Sequence, residues 1–270
     1  FGTSLVALDA DTGERVWHYQ IVHHELWDYD PPAAPTLVDI TVDGREIKAL
    51  AQVSKQAFIY VLDRTTGEPV WPIEERPVPA SSVPGERASP TQPFPTRPAP
   101  FDQQGISEDT LIDFTPQLRA EALQIISEFD YGMLYTPPSL KGTINLPGWA
   151  GGAEWSGAAF DPDTSMYYIP SVSSPIVAQL IEQDLAETEF RYVRNGIRNV
   201  NGPQGLPITK PPYGRISAVD LDTGEYHWVR ANAEGIRQQI IDMGIDDPGP
   251  VGVVNVAPLL VTKSLLFQAI

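Results

Sequence analysis

The sequence predicts an all-β protein that forms part of a β-propeller. An eleven-residue pattern, apolar-apolar-Asp-x-x-Thr-Gly-x-x-x-Trp, occurs intact at 7–17, 61–71 and 218–228, and in degraded form at 159–169. Internal repeats of this kind are typical of folds built from stacked, similar units. A chain of 270 residues with several such units favours one continuous array, which we assign to residues 1–270.

Each copy of the pattern predicts a β-hairpin. The apolar pair ends a strand, the Asp side chain accepts hydrogen bonds from the turn, and Thr-Gly supplies a position where positive φ is tolerated. The next strand ends on Trp, which is large enough to fill the gap between two stacked sheets. We expect one such hairpin in each sheet of a propeller. The alternative, a β-sandwich whose hairpins share turn chemistry, explains the fixed position of Trp less well.

The interval between the second and third copies holds an insertion, which we place at 72–130. A blade needs about 40 to 50 residues, and this interval is far longer. Its Pro-rich part, 72–100, predicts an extended surface loop without strand pairing. Thr115 and Pro116 predict the start of one short helix on the outside of the propeller. The apolar side chains that follow share one helical face: Leu118, Ala122, Ile125, Ile126 and Phe129. A second irregular stretch, 180–215, fits either a surface connection or the lining of a pocket.

Composition narrows the function. The formal net charge of -17 argues against nucleic acid as a partner, because a phosphate backbone repels an acidic protein. With no cysteine, the chain has no disulfide and no thiolate metal site, so redox chemistry requires a bound cofactor. The chain opens and closes on strand-like residues, and we expect it to be a piece of a longer protein.

The segment His23-His24-Glu25-Leu26-Trp27-Asp28-Tyr29-Asp30 carries the strongest sign of a functional site. It is too polar for a strand and too aromatic for an ordinary solvent loop, and dense titratable groups mark candidate sites. Lys55 follows the next predicted strand, 27 positions after Asp28.

Together these features resemble the pyrroloquinoline quinone (PQQ)-dependent dehydrogenases, and the glucose dehydrogenase-like branch in particular. The resemblance rests on the Asp-x-x-Thr-Gly-x-x-x-Trp repeats, the His-His-x-Leu-Trp-Asp-x-Asp segment and Lys55. Further stretches agree, at 113–119, 136–139, 151–155 and 210–215. The resemblance implies about half of an eight-bladed propeller with PQQ-type repeats.

The resemblance also implies roles for named residues. Asp28 corresponds to the catalytic carboxylate, which accepts the proton of the substrate hydroxyl while hydride passes to PQQ. Lys55 corresponds to a cation that binds the cofactor and stabilises the reduced quinone. Taken alone, Asp28 also fits a turn cap and Lys55 a solvated charge at a strand end.

Five other residues have more open roles. Asp28 and Asp30 are candidate metal ligands, although Asp30 also fits a carboxylate bonded to backbone before two prolines. Trp155 and Glu154 stand where many members have Trp and Asn against the cofactor, and Glu is a departure from that pattern. His23 and His24 fit either contacts to substrate or support of Asp28, and we favour support.

The implied cofactors are PQQ and Ca²⁺, with Mg²⁺ or a lanthanide as alternatives. The implied partners are a small sugar or alcohol substrate and a quinone or cytochrome electron acceptor. We expect a periplasmic location, with membrane association through a segment outside this chain left open. The remaining metal ligands and the Trp that stacks on the quinone are expected before Phe1.

Two other functions stay open on the sequence. Propellers with the same repeats also act as non-catalytic scaffolds of the outer-membrane assembly lipoprotein type. A scaffold has no need of a carboxylate and a cation aimed at one pocket, so Asp28 and Lys55 favour the enzyme. A third hypothesis keeps the chemistry and changes the substrate to a simple or polyvinyl alcohol.

Overall fold

The computed structural model describes residues 1–186, 188–196, 198–255 and 257–269. Strands dominate this part of the chain. In chain order they are β1 (Ser4–Leu8), β2 (Arg15–Gln20), β3 (Thr36–Val42), β4 (Arg45–Val53), β5 (Ile59–Asp63), β6 (Ile73–Pro77), β7 (Thr91–Pro95), β8 (Asp130–Tyr131), β9 (Thr143–Asn145), β10 (Ala159–Asp161), β11 (Met166–Val172), β12 (Ile176–Ala178), β13 (Leu180–Glu182), β14 (Tyr192–Arg194), β15 (Arg198–Asn199), β16 (Gly214–Asp220), β17 (Glu225–Ala231), β18 (Leu259–Val261) and β19 (Leu266–Gln268). The helices are α1 (Pro116–Ser127) and α2 (Arg237–Asp242), with 3₁₀ turns at Glu108–Thr110 and Pro203–Gly205. In the described residues, no helix is both long and apolar enough to cross a membrane.

The strands form consecutive blades of a partial propeller, as predicted. One blade contains β3, β4 and β5, and a bridge from Leu62 to Pro69 continues it outward. The next blade is the four-stranded sheet β10-β11-β16-β17. Hairpins β1-β2 and β18-β19 lie before and after these two blades in the chain.

The expectation of one repeat hairpin per sheet is wrong for the last two copies. The degraded copy forms β10-β11 and the intact copy at 218–228 forms β16-β17, and β11 pairs with β16 in a single sheet. The pattern specifies a hairpin, and it says nothing about which hairpins share a sheet. Two copies therefore belong to one blade.

The turn chemistry of the repeat is as predicted. In the first copy, Asp9 Oδ1 accepts from the backbone amides of Thr12 at 2.8 Å and Asp11 at 3.1 Å. Gly13 follows with a φ of +73°. Because three donors hold the carboxylate in its charged form, the pKa of Asp9 is lowered, with the Thr12 amide as the largest cause.

The repeat Trp packs against the next blade. The indole Nε1 of Trp17 donates to the carbonyl of Arg64 at 3.0 Å, and its ring lies on Gly67. A Cβ on Gly67 would lie 2.7 Å from Trp17 Cδ2, so no other residue leaves room for the ring. The interlocking of repeats thus comes from a Trp of one copy and a Gly of the following copy.

The core lies between blades. Val53, Ile59 and Val61 pack against Tyr167 and Ile169 of the following blade. On their other face, Leu50 and Leu62 pack against Leu5 of the preceding hairpin. Because β4 and β5 are covered on both sides, residues 49–53 and 59–62 are all buried, and Gln52 is the polar residue among them.

The Pro-rich stretch differs from the prediction, because it contains a strand pair. Strands β6 and β7 pair antiparallel with Ile73 opposite Pro95. Flanking bonds from Thr96 to Pro72 and from Val78 to Pro90 fix which pairs are hydrogen bonded. In that register the strand prolines fall on the non-hydrogen-bonded pairs, where no amide proton is needed: Pro77, Pro93 and Pro95.

Helix α1 begins as predicted, since the Thr115 side chain accepts from the Leu118 amide at 3.1 Å. The sequence predicted that this helix packs on the outside of the propeller. Its apolar face packs instead on inserted segments. Leu118, Ala122 and Ile126 join a core with residues of β9, β12 and α2. The short helix α2 was not predicted. The insertions therefore form a hydrophobic core separate from the one between the blades, and Leu206, Ile208 and Tyr213 belong to it.

Candidate functional site

The candidate site lies on the loop between β2 and β3. Trp27 and Tyr29 are each 1% exposed, while Asp28 and Asp30 between and after them have exposed side chains. The Trp27 indole donates to the Thr136 carbonyl at 3.0 Å, and the Tyr29 hydroxyl donates to the Pro147 carbonyl at 2.7 Å. The buried aromatic rings anchor the loop, and the carboxylates project away from it.

Lys55 joins the two carboxylates. Its Nζ lies 3.1 Å from Asp28 Oδ2 and 2.8 Å from Asp30 Oδ1. The side chain of Lys55 is only 10% exposed, so this ammonium group is held in place while the carboxylates remain open to solvent. Burial lowers the pKa of Lys55, but its hydrogen bonds with Asp30 and Asp28 outweigh burial and leave the pKa above its ordinary value. Lys55 is therefore a fixed cation at neutral pH.

The turn between β4 and β5 positions Lys55. Ser54 and Phe58 close this turn by backbone bonds, and Ala57 adopts a φ of +70°. Gly151 and Gly152 pack against this turn. The Gly152 amide donates to the Lys55 carbonyl at 2.8 Å, and a Cβ on Gly151 would lie 2.5 Å from Lys55 Cγ.

Glu154 and Trp155 belong to the same glycine-containing segment. Burial raises the pKa of Glu154; the Trp155 amide and Lys55 oppose the rise, and Asp30 and Asp28 add to it. The Trp155 side chain is 78% exposed, which is rare for a residue of this size. The charges of Lys55, Asp28 and Asp30 thus reach Glu154, which lies next to an exposed aromatic residue in the chain.

The two histidines belong to the same loop, and His23 bonds to partners other than Asp28. His23 contacts Gln20 Oε1 at 2.8 Å through Nδ1 and Glu75 Oε1 at 2.9 Å through Nε2, so its ring bonds point away from Asp28. His24 is exposed and has a φ of +45°. The structure therefore joins Asp28, Asp30 and Lys55 by hydrogen bonds, and it leaves the His23 ring outside this group.

Sequence reasoning missed two residues that hold the loop. The buried amide of Gln92 accepts from the His23 amide at 2.8 Å and donates to the His23 carbonyl at 2.7 Å. Gln92 lies in the Pro-rich stretch, where no local signal marks it. Glu25 Oε1 accepts from the Trp27 amide at 2.5 Å. The sequence offered one signal for Glu25, its position two residues before Trp27.

A buried ion pair is connected to the turn that carries Lys55. Arg215 Nη2 lies 3.2 Å from Asp102 Oδ1, and Ser173 bridges them. Asp102 follows Phe101, whose amide donates to the Ala57 carbonyl at 2.9 Å. Loss of one partner of a buried ion pair strongly destabilises a protein. The hydrogen bond from Phe101 to Ala57 connects this pair to the turn that carries Lys55.

The residues present fit an anionic quinone and a hard cation. Lys55 supplies a buried cation for quinone oxygens, and Asp28 and Asp30 supply carboxylate oxygens of the type that Ca²⁺ or Mg²⁺ binds. Across the described ranges, no group of three or more metal-ligating side chains is present. A metal bound here would need ligands in addition to these carboxylates.

Comparison with known proteins gives the family. The family model "PQQ: Glucose/ethanol/alcohol dehydrogenase, beta-propeller domain" matches residues 1–270. The chain is 35% identical to the quinoprotein glucose dehydrogenase of Escherichia coli (strain K12), over 84% of this chain and 31% of that protein. It is 34% identical to the quinoprotein glucose dehydrogenase of Gluconobacter oxydans (strain 621H), over 96% of this chain and 35% of that protein. The quinate/shikimate dehydrogenase (quinone) of Acinetobacter baylyi is 30% identical, over 94% of this chain and 32% of that protein.

The chain therefore spans about a third of the length of these relatives. Among solved structures, the quinohemoprotein alcohol dehydrogenase ADHIIG from Pseudomonas putida HK5 superposes with a TM-score of 0.52 at 20% identity, covering 98% of this chain and 32% of that one. This likeness concerns the fold. The match of the family model to the whole chain, on blades that carry its repeats, shows that the protein belongs to the PQQ-dependent glucose/ethanol/alcohol dehydrogenase family of β-propellers.

Proposed function

We propose that this chain supplies the catalytic carboxylate and the quinone-binding cation of a PQQ-dependent dehydrogenase that oxidises a hydroxyl group of a small polyhydroxylated substrate. The observation that carries the proposal is the ammonium group of Lys55 held between Asp28 and Asp30. A purely structural propeller has no need of this arrangement, and the scaffold alternative is not favoured.

When bound, PQQ supplies the acceptor for the hydride of the substrate carbon. The chain's own contribution is a base and a cation at fixed positions. Asp28 uses Oδ2 to contact Lys55, so Oδ1 is the oxygen that receives the proton of the substrate hydroxyl. Lys55 offers its charge to the quinone oxygens, where negative charge develops on reduction.

Metal binding is proposed for Asp28 and Asp30. Two carboxylates share one ammonium group here, and a cation would balance the excess negative charge. Ca²⁺ is our first choice, and Mg²⁺ and a lanthanide are the alternatives, since all three prefer oxygen ligands. His23 and His24 would then act on substrate or on the loop from outside this group.

The proposed substrate class follows from the relatives. Three relatives of the chain are named for glucose and for quinate or shikimate. A glycerol dehydrogenase large subunit is 31% identical over 83% of this chain. Each of these substrates carries several hydroxyl groups. A sugar or related polyol is therefore proposed over a simple alcohol, with a quinone or cytochrome as electron acceptor and the periplasm as location.

The test is reconstitution of the full-length protein that contains this chain. The protein is loaded with PQQ and Ca²⁺, or with PQQ and a light lanthanide, and dye-linked oxidation of glucose, quinate, glycerol and ethanol is measured. We expect turnover of at least one polyol with one of the ions. If the protein binds no PQQ with either ion, the non-catalytic scaffold becomes the favoured function.

A further inference from the structure

Glu25 lies beneath the backbone that carries Asp28. Its Oε1 accepts from the Trp27 amide at 2.5 Å. Burial raises the pKa of Glu25, and the amides of Trp27, Tyr29 and Asp28 oppose that rise. The Glu25 carboxylate therefore bonds directly to the backbone amide of the residue before Asp28.

The backbone at Asp28 is the one that needs such support. Asp28 has a φ of +64°, in the left-handed region. Holding a residue other than glycine there costs about 1 to 2 kcal/mol, so the surroundings must stabilise it. The left-handed turn lets Trp27 and Tyr29 both remain buried while Asp28 projects towards Lys55.

Glu25 does not take part in the charged group itself. Its Oε1 is used by the loop amide, and its Oε2 is buried with no hydrogen-bond partner in the part of the chain that the structure describes. Lys55 bonds to Asp28 and Asp30, and those bonds do not involve Glu25. The carboxylate of Glu25 therefore acts on the site through the backbone.

We propose that Glu25 is a positioning residue, which binds the Trp27 amide directly before Asp28 and so holds Asp28 in the left-handed conformation that aims its carboxylate at Lys55. This inference rests on the proposed function for its effect on turnover. Its effect on the loop does not depend on the cofactor.

The test uses the full-length protein loaded with PQQ and metal, in three variants. Glu25→Ala removes the acceptor, and Glu25→Gln keeps one amide oxygen in its place. Glu74→Ala is the control, because Glu74 is also a hydrogen-bonded carboxylate but its partner is the exposed Arg76. Turnover, KM, PQQ affinity by fluorescence quenching, melting temperature and amide hydrogen exchange at residues 27–29 are measured for each.

We expect Glu25→Ala to lower kcat by about 100-fold, the effect of a displacement of about 1 Å in a catalytic group. KM, PQQ affinity and melting temperature should change little, and the amides at 27–29 should lose protection. Glu25→Gln should recover most of the kcat and the protection, and Glu74→Ala should match the wild type.

Two results overturn the inference. Full kcat in Glu25→Ala, in a wild-type protein that is active with PQQ, would remove the positioning role and leave the proposed function intact. Parallel losses of kcat, PQQ affinity and melting temperature in both Glu25 variants would show a general folding role. A wild-type protein without PQQ binding would instead overturn the proposed function, and amide protection would still report whether Glu25 holds the loop.

Discussion

Lys55 Nζ and Asp28 Oδ2 lie 3.1 Å apart, although 27 positions separate the two residues in the chain. The turn between two central strands carries Lys55, and a loop anchored by buried aromatic rings carries Asp28. Since the Lys55 side chain is nearly buried and Asp28 is exposed, the lysine provides the fixed point of this pair.

Lys55→Met should reduce turnover of the PQQ-loaded full-length protein by about 100-fold or more, the range seen when one group that stabilises developing charge is lost. Methionine fills a similar volume, so the melting temperature should fall little. Lys48→Met is the matched control, because Lys48 is an exposed lysine on the same strand, β4. Equal activity of the two variants would exclude an electrostatic role for Lys55.

Gly151→Ala should weaken PQQ binding by displacing Lys55. The added Cβ would lie 2.5 Å from Lys55 Cγ and 2.7 Å from its Cα, so the lysine must move. Gly157→Ala controls for backbone strain. Gly157 also has a positive φ, but its added Cβ would meet only Ala33 Cβ at 3.6 Å, an ordinary contact. Titration of each variant with PQQ measures the difference, and equal affinities would contradict the proposed contact.

Gly67→Ala should destabilise the protein by about 2 to 4 kcal/mol, combining the strain of a positive φ with overpacking against Trp17. Gly13→Ala is the control at the equivalent position of the first repeat, where the φ is +73° and no atom lies within 4 Å of the added Cβ. It should lose only about 1 kcal/mol. Urea unfolding gives both values. Similar losses would mean that Trp17 does not lock the blades.

Glu154→Gln should stabilise the cofactor-free protein at neutral pH and leave its stability unchanged in acid. The folded state raises the pKa of Glu154, chiefly through burial, so the folded protein holds this proton more tightly than the unfolded chain. The stability that the proton provides is complete below the ordinary pKa of about 4.3 and is lost as the pH rises through the folded pKa. The melting temperatures of both proteins are measured at steps of about one pH unit between pH 4 and pH 7, and they test the sign of the stability difference. A difference that grows in acid would contradict it.

The parts of the fold that local chemistry dictates were predictable from the sequence. Asp9 and Gly13 form the expected turn, and Thr115 caps the expected helix. The assignment of two repeat hairpins to one blade was not predictable, because strand order depends on contacts beyond the hairpin. The pairing of β6 with β7 was missed for a different reason. Its prolines occur at alternate positions, and only the register shows that they avoid the hydrogen-bonded pairs.

The candidate site was predictable only in part. The resemblance to a family pointed to Asp28 and Lys55, and the structure places them in contact. The contact of Gly151 with Lys55 joins residues far apart in the chain, and no local pattern signals it. The same holds for Gln92, which clamps His23 across two separate elements. Residues that hold a site from a distance carry no local signature.

The most direct test of the central claim compares Asp28→Asn with Asp43→Asn in the full-length protein loaded with PQQ and metal. Both aspartates are exposed and have positive φ, +64° and +52°, so the substitutions impose the same backbone demands. Turnover of the preferred polyol and PQQ affinity are measured for each. We predict that Asp28→Asn abolishes turnover while PQQ still binds, and that Asp43→Asn matches the wild type. Turnover that survives Asp28→Asn would show that Asp28 is not the catalytic base.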